Sequence, residues 1–308
     1  QPQIDSQTGL PSQVINQYKY RIYIDNLEGI ASYPFTATRR IETSAGFTRY
    51  GFDYEVDKFY YSTLGVRRVR TDLNSQEPDA VYFAKAGVAL VSDYSFFGFT
   101  SPIRGGRSRL EVSPFVGSQT YLRVQADYRK YVQIRSLTFA FRGLHVGNYG
   151  AKDQDNALFT QEYLGYANSL GFVRGYSFTS FVADECTPVA NGSGCPEQDR
   201  LLGTRLGLAS VEIRVPLFGS ESYGLINFPY LPTEVSFFAD GGVSWTENES
   251  PVLKWETKAT PDRIPVFSAG VSTRFNLFGY TVLEIFYARP FQRPVKGAHF
   301  GFQIVPGW

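Results

Sequence analysis

The chain has 308 residues, 16% of them aromatic, and its 30 lysines and arginines nearly balance 29 aspartates and glutamates. This balance argues against nucleic acid as the main partner. No apolar run approaches the roughly 18 residues that a transmembrane helix needs, so no segment is predicted to cross a membrane as a helix. Membrane-crossing β-strands would escape such a search, because their lipid-facing and lumen-facing residues alternate.

Period-two alternation of apolar and polar residues predicts eleven β-strands along the chain. In YLRVQADYRKYV, residues 121–132, polar Arg123 and Asp127 alternate with apolar Val124 and Tyr128. The segment 233–245 alternates in the same way. The strands are expected near residues 18–33, 39–56, 80–95, 107–117, 120–133, 136–148, 203–217, 233–246, 264–275, 279–290 and 297–305.

The length of these strands indicates the fold class. Many predicted strands have about 10 to 14 residues, whereas strands of soluble sandwiches usually have about 5 to 6 and membrane strands roughly 9 to 11. Aromatic residues gather at strand ends, as at Tyr131, Trp245 and Phe278, which is typical of interfacial girdles. We therefore predict an all-β protein, a transmembrane antiparallel β-barrel with one domain over residues 1–308. A soluble all-β protein is the disfavoured alternative.

Short and long connections alternate between the predicted strands. PFTATR, QIRS and NLFG are short turns, whereas residues 57–79, 149–202 and 246–263 are long and polar. In outer-membrane barrels short turns face the periplasm and long loops face outward. The pattern has exceptions, since VGSQT is short on the expected outer side and residues 216–232 are long on the expected inner side.

An odd number of strands is unusual for a bacterial barrel. Single-chain bacterial barrels have even strand counts, and an unpaired strand edge in lipid is costly. Either one strand is missed, or further strands lie upstream of this sequence. We favour the second explanation, because residues 1–17 are polar and are predicted to be a loop.

The two cysteines, Cys186 and Cys195, flank a segment rich in Pro, Asn, Gly and Ser. We predict that they form a disulfide that closes a short surface loop, which would imply an oxidising compartment. Two free thiols are the alternative. A metal site is not expected, because there is no other cysteine and the histidines, His145 and His299, are distant in sequence.

Three motifs in the second half of the chain resemble those of one family. They are GFVRGYSF at 171–178, LASVEIRVPLFG at 208–219 and FADGG at 238–242. Their order and spacing resemble the BamA-type superfamily, also called the bacterial surface antigen family. It includes the outer-membrane insertase, its relative TamA and the two-partner secretion transporters. The resemblance is close over 166–308 and looser before it.

The resemblance implies a specific strand count. Barrels of this family have sixteen strands, of which this chain would cover about 11 to 12. The motif loop follows the eleventh family strand, so about five family strands and the periplasmic POTRA domains would lie outside the sequence.

The resemblance also implies a role for the motif loop, residues 149–202. In the family this loop folds into the lumen, and its arginine meets acidic residues of the inner wall. Asp240 and Glu212 fall on lumen-facing positions by parity, and a confined arginine needs carboxylate partners. We predict that Arg174 pairs with Asp240, with Glu212 as second partner. Gly175 permits a tight turn, and Tyr176 completes the motif. This would be a structural latch and not a catalytic site.

The C-terminal segment GAHFGFQIVPGW resembles the assembly signal on the last strand of outer-membrane barrels. Its residues are Gly297, Phe300, Phe302 and the terminal Trp308. Val295 stands where that signal normally has a polar residue, so the resemblance is partial.

Together these features predict an outer-membrane barrel that inserts or translocates proteins in the bacterial outer membrane. The expected partners are outer-membrane lipid and lipopolysaccharide, substrate outer-membrane proteins, and upstream strands, a periplasmic domain or partner chains outside this sequence. One alternative is a passive or ligand-binding pore lined by residues such as Arg274 and Glu284; another is the membrane anchor of a larger protein. No enzyme is expected, because neither histidine lies in a Ser-His-acid pattern, and no cofactor or metal is expected.

Overall fold

The all-β prediction is confirmed by a computed structural model, which describes residues 3–4, 11–62, 65–73, 77–150, 160–165, 173–186, 195–257, 262–293, 295 and 297–305. Eleven long strands overlap the predicted positions, although the first of them begins at Pro11 and includes residues 11–17, which were predicted to lie in a loop. They are β1 (Pro11–Thr36), β2 (Arg39–Ser62), β3 (Val81–Asp93), β4 (Pro102–Gly117), β5 (Tyr121–Ile134), β6 (Leu137–Tyr149), β7 (Arg205–Gly219), β8 (Thr233–Trp245), β9 (Val266–Leu277), β10 (Thr281–Pro290) and β11 (His299–Val305).

The remaining elements are short. One α-helix, α1, spans Pro196–Asp199, and two 3₁₀ turns span Phe178–Ser180 and Ala183–Glu185. The short strands are Gln3–Ile4, Gly65–Asp72, Phe96–Phe97, Glu162–Tyr163, Leu202–Gly203 and Ile226–Asn227. No helix among the described residues is long and apolar enough to span a membrane.

The long strands hydrogen-bond in chain order, from β1 to β11. The pairings from β5 through β11 are all antiparallel. Among the described residues the order ends at β11, so the sheet has two edges. The chain divides into two compact units, one with residues 1–29, 44–86 and 115–119, the other with 30–43, 87–114 and 120–308.

In the first unit, the structure corrects the predicted long loop at 57–79. Strand β2 continues to Ser62, and the short strand Gly65–Asp72 pairs back onto it. The pairing places Arg68 near Asp57, with 2.7 Å between Nη2 and Oδ2. Cross-strand pairs of opposite charge, together with the run Phe59–Tyr61, favour a hairpin over an irregular loop. Polarity alone was therefore a misleading signal here.

In the second unit, the polar face of the sheet is buried and the apolar face is exposed. On β7, Glu212 and Arg214 are fully buried, whereas Val211 and Ile213 on the opposite face are exposed. On β8, Asp240 is buried and Phe237 is 56% exposed. This is the reverse of a soluble sheet, in which the apolar face packs inward.

Two of the three predicted short turns contain residues with left-handed φ. Arg135 has φ 56° in the QIRS turn between β5 and β6, and Phe278 and Gly279 have φ 56° and 80° in the NLFG turn between β9 and β10. Two-residue hairpin turns need positive φ because their twist must match that of the strands.

Described residues of the connection between β6 and β7 pack on the buried face of the sheet. Its residues Leu164, Val173, Tyr176 and Leu201 form one apolar cluster with strand residues Leu144, Val146, Leu206, Leu208 and Val266. The inward positions at this end of β6 and β7 are therefore apolar, and they give the loop a surface to pack against.

Candidate functional site

Arg174 lies at the centre of the buried connection between β6 and β7. Its neighbours Val173 and Tyr176 are fully buried in the apolar cluster and fix the backbone on either side of it. Gly175 has φ +89°, a conformation that side chains strain, so glycine is required at this position. The motif thus combines two apolar anchors, one turn residue and one buried cation.

Arg174 makes a two-pronged contact with Asp240. Its Nε and Nη2 donate to Oδ2 and Oδ1 at 2.8 and 2.9 Å, and its backbone N–H donates to Oδ2 at 3.2 Å. The Ser210 hydroxyl donates to Oδ1 at 2.6 Å. Bidentate contacts of this kind are the strongest that an arginine makes with a carboxylate.

The remaining Arg174 nitrogen, Nη1, contacts two further carboxylates. It lies 2.8 Å from Glu212 Oε1 and 3.2 Å from Glu284 Oε1. The guanidinium carbon stands 3.5 Å from the centroid of the Phe238 ring, in cation–π contact. Phe238 opposes Gly270 across β8 and β9, where the absence of a side chain makes room for the ring.

Sequence reasoning missed Glu284 as a partner of Arg174. Its parity placed it on the lumen-facing side of β10, but no motif marked it as part of the latch. The signal that could have found it is register, because Arg274 directly opposes Glu284 in β10 and Glu234 in β8. A row of alternating charge therefore crosses three neighbouring strands.

Arg274 and Arg214 extend these contacts into a larger cluster. Arg274 contacts Glu212 at 3.0 Å, Glu234 at 3.1 Å and Glu284 at 3.3 Å. Arg214 Nε lies 2.8 Å from Glu212 Oε2. The Glu212 carboxylate therefore contacts three arginines. We call the following residues the charge network: Arg174, Arg214, Arg274, Glu212, Glu234, Asp240 and Glu284.

The electrostatics of the charge network favour ionised Arg174. Burial alone would lower the pKa of its guanidinium, but the charges of Asp240 and Glu212 outweigh that effect and raise the pKa well above its ordinary value. Removing one partner from a buried ion pair leaves the other charge uncompensated, which costs roughly 3 to 5 kcal/mol. Removing the charge of any member of the network is therefore expected to lower the stability of the protein.

Tyr176 fixes the other side of the motif. Its hydroxyl lies 3.1 Å from both the Phe267 carbonyl oxygen and Gln292 Oε1, and it accepts the Gln292 backbone N–H at 3.0 Å. Burial raises the pKa of the Tyr176 phenol, so the hydroxyl keeps its proton and remains a donor.

The predicted cysteine and C-terminal residues lie elsewhere. Cys186 and Cys195 form a disulfide with 2.10 Å between the sulfurs. Phe300 and Phe302 are exposed on one face of β11, and Gly297 precedes the strand with φ +69°. Trp308 lies outside the described residues. Within the described ranges, no group of His, Cys, Asp and Glu is arranged to hold a metal ion.

Substituting Arg174 by lysine tests the geometry of the site. Lysine keeps the charge but cannot form the two-pronged contact or stack as a plane on Phe238. We expect Arg174→Lys to lower stability by roughly 1 to 3 kcal/mol. The measurement is the temperature at which the folded band disappears on semi-native gels. Arg129→Lys is the control, because Arg129 also pairs with an aspartate, Asp127, but at a different place in the sheet. Equal melting of Arg174→Lys and wild type would contradict the expectation.

Comparison with known families gives one result that covers most of the chain. The Omp85 superfamily domain matches residues 18–307. Comparison with curated proteins yields no match. The matched range includes all seven residues of the charge network.

Proposed function

Because the chain belongs to the Omp85 superfamily, we propose that it inserts or translocates proteins at the bacterial outer membrane. Outer-membrane β-barrels are the architecture of this superfamily. The finer assignment, protein insertion or translocation, rests on the motif loop and its place against the sheet.

The distribution of exposed residues supports a membrane location. The apolar face of β7, β8 and β11 is partly or fully exposed, with Val211, Phe237 and Phe302 among its exposed residues. An exposed apolar face of this extent suits lipid and not water. Outer-membrane lipid and lipopolysaccharide are therefore the partners proposed for this face.

The observation that carries the proposal is the attachment of the motif loop to the buried polar face by Arg174. A loop that is held by three carboxylates would obstruct a passive pore. The same loop could guide polypeptides only if the barrel wall can deform while the loop holds its position. Protein insertion or translocation fits this arrangement better than steady diffusion of small solutes.

We further propose that the protein is not an enzyme and uses no cofactor. His145 contacts the Leu206 carbonyl oxygen and the Tyr149 hydroxyl, each at 2.8 Å. His299 packs near the Phe286 ring. These are structural contacts, since a nucleophilic site needs a base within reach of a serine, cysteine or threonine.

The proposed partners are unfolded outer-membrane proteins as substrates, and upstream strands, a periplasmic domain or partner chains that complete the sheet. The second group follows from the family resemblance, because barrels of this family have about sixteen strands and the described residues form eleven long ones. We propose residues 149–202 as the lumen-inserted loop of a single barrel domain.

Reconstitution tests the proposed function. The protein is placed in phosphatidylethanolamine and phosphatidylglycerol vesicles, and an unfolded eight-stranded outer-membrane protein is added as substrate. We expect the substrate to fold faster than in protein-free vesicles, and Arg174→Ala to return the rate to that background because the loop loses its attachment to the carboxylates of the strands. Folding is followed by the shift of the substrate band on unheated gels.

The control and the alternative outcome use the same vesicles. Arg129→Ala removes another buried-face arginine that pairs with Asp127, so it should leave the rate unchanged. Planar-bilayer conductance is recorded in parallel. A steady open conductance without any acceleration of substrate folding would contradict the proposal and favour a passive pore.

A further inference from the structure

Arg293, in the connection between β10 and β11, makes a second set of buried contacts with the motif loop. Its Nε and Nη2 donate to the two oxygens of Glu185, both at 2.8 Å. Its Nη1 donates to the Gly175 carbonyl oxygen at 2.6 Å and to Ser180 Oγ at 2.9 Å. Nη2 also donates to the Ser180 carbonyl oxygen at 3.0 Å. All five N–H groups of the guanidinium therefore have acceptors.

The preceding residue, Gln292, also contacts the motif loop. Arg200 Nη2 donates to the Gln292 carbonyl oxygen at 2.9 Å. Tyr176 contacts both the backbone N–H and the side chain of Gln292. Gln292 and Arg293 are both nearly fully buried. Two consecutive residues of a connection between strands are thus held by two separate stretches of the loop.

The disulfide joins those two stretches. Cys186 directly follows Glu185, and Cys195 precedes α1, which leads to Arg200. One sulfur is therefore next to the residue that binds Arg293, and the other is one short helix away from the residue that binds Gln292. The covalent bond therefore limits the spacing between the two stretches.

We propose that a clamp positions the start of β11. The clamp consists of Glu185, Arg200, Gln292 and Arg293, and the Cys186–Cys195 disulfide braces it. The charge network attaches the loop to the strands themselves, whereas the clamp attaches it to the connection that leads into β11. Strand β11 has seven residues and pairs only with β10 among the described residues. Its position therefore depends on this connection more than that of an interior strand does. The inference does not depend on the proposed function.

Amide hydrogen exchange of the protein in nanodiscs tests the clamp. Replacing Arg293 by alanine removes five donors and leaves the buried Glu185 carboxylate without its arginine partner. We expect amides of β11 to exchange about tenfold faster in Arg293→Ala, because local opening follows the loss of a charged hydrogen-bond cluster. Amides of β8 should keep their wild-type rates, which separates local positioning from a general loss of stability.

The matched control is Arg263→Ala. Arg263 also donates to the motif loop, at the Asp199 and Leu202 carbonyl oxygens at 2.9 and 2.7 Å, but it comes from the connection between β8 and β9. The Arg263→Ala variant should therefore leave the exchange of β11 amides unchanged.

If Arg293→Ala does not assemble, Glu185→Gln supplies the same test, because glutamine keeps the shape of the side chain and removes its charge. Unchanged β11 exchange in the assembled variant would overturn the proposal.

Reduction of the Cys186–Cys195 disulfide in the assembled protein tests its role without refolding. Dithiothreitol transfers two electrons and two protons to the disulfide, giving two thiols, and is itself oxidised to its cyclic disulfide. We expect reduction to accelerate β11 exchange severalfold in wild type and by a smaller factor in Arg293→Ala, because one of the two contacts that the disulfide braces is already lost in that variant. Additive effects, or no effect of reduction in wild type, would overturn the role of the disulfide.

Discussion

Replacing Asp240 by arginine is expected to abolish the compact, heat-modifiable form of the protein. The Asp240→Arg change removes both prongs of the contact with Arg174 and the acceptor of the Ser210 hydroxyl. It also places a second guanidinium beside the first in a buried position. Two like charges about 4 Å apart repel by about 4 kcal/mol at an effective dielectric constant of about 20. Together with the lost contacts, this repulsion approaches the whole stability of a typical domain.

The measurement is the fraction of protein that migrates as a folded band on unheated gels after expression in outer membranes. Asp127→Arg is the matched control, because Asp127 also contacts two arginines on the buried face, Arg129 and Arg142 at 2.7 and 3.0 Å. Its partners lie on β5 and β6 and are not part of the charge network. We expect Asp127→Arg to retain a larger folded fraction than Asp240→Arg, because the Asp127 side chain is partly exposed to solvent whereas that of Asp240 is buried. If Asp240→Arg retains an equal folded band, Arg174 does not need this partner.

Replacing Glu212 by glutamine is expected to cost more stability than neutralising any other carboxylate of the network. The Glu212 carboxylate contacts Arg174, Arg214 and Arg274 within 3.0 Å, and it is fully buried. Glutamine has nearly the same shape, so packing changes little while three cations lose their shared counterion. Breaking a buried ion pair from one side costs roughly 3 to 5 kcal/mol, and the effect here should lie at the upper end or above it.

Urea unfolding of the detergent-solubilised protein measures this effect as a shift of the transition midpoint. Glu234→Gln is the matched control, because Glu234 is also buried but contacts one arginine of the network, Arg274 at 3.1 Å, and the Ser101 hydroxyl. We expect the Glu212→Gln midpoint to fall well below that of Glu234→Gln. Equal midpoints would mean that the number of arginines around a carboxylate does not determine its contribution.

The contact between Arg174 and Asp240 shows which part of the site motif spacing predicts and which part it does not. The parity of β8 placed Asp240 on the lumen-facing side, and the VRGY motif singled out Arg174. Neither observation contained the bidentate geometry, the Phe238 ring beneath the guanidinium or the third carboxylate of Glu284. These depend on where β8 and β10 come to lie beside the loop, and no local pattern encodes that distance.

The hairpin at the end of β2 and the clamp at Arg293 show where local patterns misled or were silent. Residues 57–79 were expected to be a loop because they are polar, yet Asp57 and Arg68 pair across two strands. Arg293 follows a strand in a connection without a motif, and its partner Glu185 is more than a hundred residues away in sequence. Charges of this kind become informative only when their partners are brought close by folding.

The sequence by itself determined the approximate positions of the eleven long strands, the face to which their side chains point and the residues of the short turns. These properties are local: alternation has a period of two, and a left-handed turn needs only its own residues. The tertiary structure decided which charges meet, because pairing across strands depends on register and on the path of the long loop. In a buried, polar interior each guanidinium must find carboxylates or carbonyl oxygens, and only the assembled wall and loop together supply them.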